Sequence, residues 1–216
     1  MSRVALPSGT PGELVEAPSG SPRRGVVVAP DIMGLRPLFD DLCARLAAEH
    51  DWTVCAVEPF PGREDLPVEV RLQTPLDPER VLADLVAAAD ETRAERVAVL
   101  GFCRGGMHAF QAAGTGRFDR AVAFYGMIRV PEEWRPGRRE PLEELARPEA
   151  CPTLAVLGGR DSYTPADDIE ALRTLANVEI AFYPEADHGF VHDPARPTHR
   201  ADDAADAWRR VAHFLA

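Results

Sequence analysis

Val97-Ala-Val-Leu-Gly101-Phe-Cys103-Arg-Gly105-Gly106 carries a short apolar, β-branched run into Gly-x-Cys-x-Gly and on into an alanine-rich segment. A strand that turns sharply into a helix has this pattern. Small residues two positions either side of the centre let the two backbones approach, and the central residue is held in a strained conformation. The reading predicts a strand over residues 97–100 and a helix from Cys103, or just after it, to residue 113. The Cys103 sulfur then stands at a helix N-terminus, where unpaired N–H groups and the helix dipole favour a thiolate. Those N–H groups also suit an oxyanion, the Arg104 amide first among them. Alone, Gly-x-Cys-x-Gly is a weak signal, because a buried cysteine commonly acts as a small hydrophobe. The strand before it and the helix after it give it weight.

Outward from this turn, further apolar runs over residues 26–29, 53–57, 121–124, 153–157 and 179–183 read as strands buried on both faces. Amphipathic stretches separate them: Leu38, Leu42 and Leu46 share one helical face, and Val81, Leu82, Leu85 and Ala89 another. Residues 166–175 and 201–214 supply two more helices. Strand and helix alternating in this way predict an α/β fold, a mostly parallel sheet with right-handed crossovers and helices on both faces. The stretch before Gly25 reads as a short antiparallel pair at one edge. Residues 60–78 and 126–148, dense in Pro, Arg and Glu, read as loops over the carboxyl ends of the strands, where open α/β sheets bind ligands.

When an elbow of this kind carries a nucleophile, the acid and then the histidine follow it in chain order. Residues 152–161 form a strand ending in Gly-Gly-Arg-Asp, which puts Asp161 at the strand's carboxyl end. The next strand runs into Pro184-Glu-Ala-Asp187-His188-Gly189-Phe190, a loop presenting an imidazole. An imidazole can take the thiol proton and later deliver one, while a carboxylate fixes its tautomer and orientation. The plainer readings are a helix N-cap for Asp161 and a surface-loop histidine for His188. Neither explains why both directly follow successive strands.

Composition narrows the partners. The 216 residues, 45% hydrophobic and 27% charged, suffice for one domain over residues 1–216 with a real core. A formal charge of −11 works against nucleic acid and anionic membrane surfaces. No apolar run approaches bilayer length and the N-terminus lacks a signal-peptide core, so a cytoplasmic protein is expected. The four cysteines, Cys43, Cys55, Cys103 and Cys151, are widely spaced and read as free thiols. His188 and His192 stand four apart without a His-Glu-x-x-His pattern, so no metal is expected.

With these residues laid out, the chain resembles the dienelactone hydrolase family, α/β-hydrolases with a cysteine nucleophile. The likeness runs from Gly25 to Ala216 through residues 28–34 (Val-Ala-Pro-Asp-Ile-Met-Gly), 101–106 (Gly-Phe-Cys-Arg-Gly-Gly), 159–161 (Gly-Arg-Asp) and 188–190 (His-Gly-Phe). The resemblance implies an α/β-hydrolase fold with minimal or no cap domain, and a Cys103-His188-Asp161 hydrolase of lactones or esters needing no cofactor. It also makes the Ile32 amide a second oxyanion donor beside that of Arg104. Where the family has a glutamate that contacts the resting thiol and gates it, this chain has Asp31. That side chain is shorter by one methylene, which leaves the resting hydrogen bond to shift to His188 or pass through water. The family's archetype also holds a substrate carboxylate with two arginines. His192 stands at one of those positions, and Arg63 and Arg71 are candidates for the other. A mostly neutral histidine does not replace a bidentate guanidinium, so the substrate is expected to differ from dienelactone.

The expected chemistry is acyl transfer through a thioester to a small lactone or ester substrate, with His192, Arg63, Tyr125 and Trp134 as candidate substrate contacts. Packing roles are equally compatible with Tyr125, Trp134 and Phe60. A thioester substrate is an alternative electrophile. A thiol-sensing binding protein on the same scaffold is the rival from another class, though a sensor needs neither Asp161 nor His188.

Overall fold

A computed structural model describes residues 2–134 and 139–216. Eight strands form one sheet: β1 (Ser2–Ala5), β2 (Pro11–Val15), β3 (Arg24–Ala29), β4 (Trp52–Val57), β5 (Val97–Phe102), β6 (Arg120–Phe124), β7 (Thr153–Gly158) and β8 (Val178–Tyr183). Their order is β1-β2-β4-β3-β5-β6-β7-β8. β1 and β2 are the expected antiparallel edge pair, and the remaining strands run parallel. This is the α/β-hydrolase architecture, a mostly parallel sheet between helical layers.

Side chains alternate across the sheet with a period of two, which sorts the core into two layers. Val26, Val28, Val54, Ala56, Leu100, Val122 and Val156 face one side, against Phe39, Leu42 and Leu46 of α1 (Pro37–His50) and Ala204, Ala207 and Val211 of a C-terminal helix, Ala201–Leu215. Val27, Cys55, Val99, Ala121, Ala123 and Leu157 face the other. That side is covered by helices Pro78–Glu91, Arg104–Ala113 and Ala166–Arg173. Numbered in chain order with the two short helices Val68–Gln73 and Pro141–Leu145, these are α2 (Val68–Gln73), α3 (Pro78–Glu91), α4 (Arg104–Ala113), α5 (Pro141–Leu145), α6 (Ala166–Arg173) and α7 (Ala201–Leu215).

The two stretches expected to be loops contain structure. Residues 60–78 hold α2, and residues 126–148 hold a 3₁₀ turn at Glu132–Trp134 and α5; residues 135–138 of that stretch lie outside the described residues. Prolines mask these helices in the sequence, yet Pro67 stands at the N-cap of α2 and Pro141 in the first turn of α5, where the missing N–H has no intrahelical role. No helix among the described residues is long and apolar enough to cross a membrane.

Candidate active site

The elbow follows from contacts that admit only glycine. A Cβ on Gly101 would lie 2.0 Å from the Gly105 carbonyl oxygen, and one on Gly105 would lie 2.1 Å from the Ala29 carbonyl oxygen. With strand, helix and β3 pressed together this closely, Cys103 takes the bend at φ 56°, ψ −119°, a region costly for a residue with a side chain. Its own N–H donates to the Phe124 carbonyl at 3.0 Å, which fixes the turn to β6. Cys103 is half-buried and free of disulfide.

Asp161 and His188 arrive from the ends of β7 and β8, neighbours in the sheet. His188 Nδ1 and Asp161 Oδ2 are 2.8 Å apart. Asp161 Oδ1 accepts the Tyr163 amide at 2.8 Å, which steadies the carboxylate. Burial works against charge on His188, but the hydrogen bond to Asp161 and the proximity of Cys103 outweigh it and raise its pKa to about 10. The other ring nitrogen, Nε2, is buried and has no hydrogen-bond partner among the described residues. The arrangement can therefore hold a proton on the imidazole beside the sulfur.

Residues 31–35, the loop after β3, are held from three sides. The Met33 amide donates to Asp31 Oδ1 at 2.9 Å, and the Gly34 amide to the Asp31 carbonyl at 3.0 Å. Buried Glu58, just past β4, accepts the Leu35 amide at 3.0 Å and the Phe60 amide at 2.9 Å. Arg71 Nη1 reaches the Ile32 carbonyl at 3.2 Å. Gly34, at φ 74°, lies so near the Glu58 carboxylate that a Cβ would meet its oxygens at 2.8 Å. Within this loop the Ile32 N–H is left without a hydrogen bond among the described residues. The Arg104 N–H, first in α4, likewise has no intrahelical partner. The side chain of Arg104 points into the interior, donating to the carbonyls of Arg71 and Thr74 and stacking on Trp134, so only its backbone is free for chemistry.

Asp31 is fully buried. Its carboxylate receives two bonds from Arg36, at 2.7 and 2.9 Å, and lies 2.8 Å from His192 Nε2 and 3.5 Å from Arg196. Its hydrogen bonds therefore go to these groups and to Met33, and not to Cys103 or His188. Burial raises its pKa, but the bonds from His192 and Arg36 hold it well below the usual carboxylate range. Burial lowers the pKa of His192, with Arg196 and Arg36 adding to the effect against Asp31. A neutral His192 donates Nε2–H to Asp31, and its Nδ1 then accepts the Tyr125 hydroxyl, which makes a short contact with it. Tyr125 is kept neutral by burial and by Asp31 and Cys103 nearby.

Three of the expected substrate contacts are thus interior. The His192 side chain is 1% exposed and both its nitrogens are engaged. Tyr125 is fully buried, and Trp134 is buried with Nε1 on the Leu72 carbonyl. Arg63 is exposed but lines the mouth of a separate cavity that contains none of Cys103, Asp161 and His188. Sequence reasoning missed Tyr163, which is 50% exposed with its ring 4.8 Å from that of His188. It also missed Glu58, Arg36 and Arg196. An acidic residue ending the β4 run, Glu58, was the only signal available for that clasp.

A Yersinia pestis protein provisionally named carboxymethylenebutenolidase is 31% identical over 208 residues, 88% of this chain and 76% of its own. The carboxymethylenebutenolidase of Pseudomonas putida is 28% identical over 225 residues, 95% of this chain and 90% of its own. A solved Klebsiella pneumoniae structure, provisionally named a dienelactone hydrolase, superposes with a TM-score of 0.87 at 26% identity, covering 99% of this chain and 96% of that one. Residues 12–216, from β2 to the C-terminus, match the sequence profile of the dienelactone hydrolase family, and the chain belongs to that family.

Proposed function

We propose that this chain hydrolyses a lactone or small carboxylic ester through an acyl-thioester on Cys103. The observation that carries the reading is His188, bonded to Asp161 at 2.8 Å and lying close enough to Cys103 for the cysteine to raise its pKa. His188, held by Asp161, takes the proton from the Cys103 thiol, its raised pKa favouring the protonated ring. The sulfur attacks the carbonyl carbon, and the Ile32 and Arg104 amides receive the oxyanion. Collapse breaks the C–O bond as His188 delivers its proton to the leaving oxygen. Now neutral, His188 takes a proton from water, whose hydroxide attacks the thioester and releases the acid, and the proton ends on the ring again. Asp161 orients the ring throughout. Tyr163, exposed beside His188, is the wall a substrate meets first.

Membership of a family whose relatives bear the carboxymethylenebutenolidase name supports the ester or lactone as the bond cleaved. The test is turnover of small aryl esters and lactones by the unaltered chain and by Cys103→Ala. The unaltered chain turns over and the variant does not; equal rates would refute the role of Cys103.

A further inference from the structure

Two aromatic rings meet the His188 imidazole. That of Tyr163, 4.8 Å away between centroids, is half exposed. That of Tyr125, at 5.1 Å and 65° in an edge contact, is fully buried. The other groups at His188 are Asp161 on Nδ1, Cys103, and Asp187, which accepts the His188 backbone N–H. One hydrogen bond to Asp161 fixes a nitrogen but not the plane of the ring, which packing must set.

Tyr125 is held at both ends. Its backbone bends at φ 40°, a conformation costly for a residue with a side chain. On one side of the bend its N–H donates to the Val156 carbonyl at 2.8 Å; on the other stands Gly126, where a Cβ would lie 2.4 Å from the Gly106 backbone. The Tyr125 hydroxyl donates to His192 Nδ1, and His192 donates to Asp31, which Arg36 grips through two bonds. Phe102, Phe124 and Phe190 lie around the ring at centroid distances of 5.8 to 6.3 Å. A strained backbone persists only where its surroundings over-determine it, and here it delivers an immobile ring to His188.

We propose that Tyr125 is a positioning residue. Its ring sets the plane of the His188 imidazole and keeps it between Asp161 and Cys103, and the chain from its hydroxyl through His192 and Asp31 to Arg36 keeps that ring in place. The inference rests on the reading of Cys103 and His188 as the reacting groups and deepens it. Tyr125 is buried and acts through His188, so its loss lowers kcat and not the affinity for substrate.

Two readouts on the full chain test it: steady-state turnover of one aryl ester, and the pH profile of Cys103 alkylation by iodoacetamide, followed on the peptide containing Cys103. Tyr125→Leu removes the ring. Its kcat falls roughly ten- to hundredfold with KM within about twofold, and its alkylation midpoint rises by about one pH unit, because the imidazolium is no longer held at the sulfur. Tyr125→Phe keeps the ring and loses only the hydroxyl, so it restores kcat to within about threefold of the unaltered chain and returns the midpoint most of the way. If Tyr125→Leu does not fold, Tyr125→Met, which fills the space with a flexible chain and no ring, carries the same expectation. A ringless variant with kcat within about threefold, an alkylation profile superposing on that of the unaltered chain, or a Phe variant no better than the ringless one would overturn the proposal. Alkylation needs no ester. An unaltered chain that turns over no ester therefore counts against the hydrolase reading alone, and the profile still decides the role of Tyr125.

Discussion

His192 and Asp31 are joined at 2.8 Å between Nε2 and Oδ2, the same distance that joins His188 to Asp161, yet the two pairs are opposite in character. The His188 ring lies beside Cys103 and has a raised pKa; the His192 ring has both nitrogens engaged by Asp31 and Tyr125 and a lowered one. Burial and bonding, and not residue type, separate the pair proposed to react from the one that is structural.

Replacing His192 by Phe leaves Asp31 one donor short and the Tyr125 hydroxyl without its acceptor. Each buried polar group left unsatisfied costs about 1–3 kcal/mol, and a chain of this size loses roughly 2–4 °C in Tm per kcal/mol. Thermal unfolding should show a loss on the order of 5–15 °C. A Tm within a degree of the unaltered chain would mean the network contributes nothing.

Asp31 links the same network to acid stability. Its carboxyl is held below the ordinary value of 3.8, so its contribution is fully present above that value and is lost as pH falls through the depressed folded one. Asp31→Asn should therefore lower stability at neutral pH and flatten the acid side of the stability curve. Denaturant unfolding between pH 7 and acid reads both. Parallel curves for the variant and the unaltered chain would contradict the assignment.

Glu58 positions the loop that presents the Ile32 amide. Burial raises its pKa against the bonds from Leu35 and Phe60 and the pull of Arg71, with Glu64 adding to the rise. Glu58→Gln leaves one of the two amides facing an NH₂ group. The oxyanion donor loosens, and kcat should fall about tenfold with KM little changed, well short of the 10²–10³ lost when a donor is deleted outright. A pure rise in KM would place Glu58 in substrate binding instead.

Tyr163 stands exposed over His188 and bonds to Asp161 only through its backbone. Tyr163→Ala should raise KM several-fold and leave kcat within about threefold, the pattern of lost uniform binding. Steady-state kinetics with one aryl ester decides it, and an equal fall in kcat and kcat/KM would contradict it.

The sheet and the elbow were legible because their determinants are local. Alternation writes both core layers into each strand, and Gly101 and Gly105 lie two positions either side of Cys103. Asp161 and His188 could be found because each follows a strand directly. Asp31 and His192, 161 residues apart, meet only through packing, so the sequence showed a carboxylate and an imidazole but not their pairing. The grip of Glu58 on Leu35 depends on β4 lying beside β3, a strand order that no single stretch records. Tyr125 follows β6 at φ 40°, and an apolar ring there can face the core or a ligand equally well from sequence.

A covalent acyl group on Cys103 is the intermediate that sets the proposed chemistry apart. Rapid quenching of the full chain during turnover of a slowly hydrolysed ester, followed by intact-mass and peptide analysis, tests it most directly. One acyl group is expected on the peptide containing Cys103, appearing during turnover and decaying when substrate is exhausted. An acyl group on another residue, or steady turnover by Cys103→Ala at the unaltered rate, would contradict it.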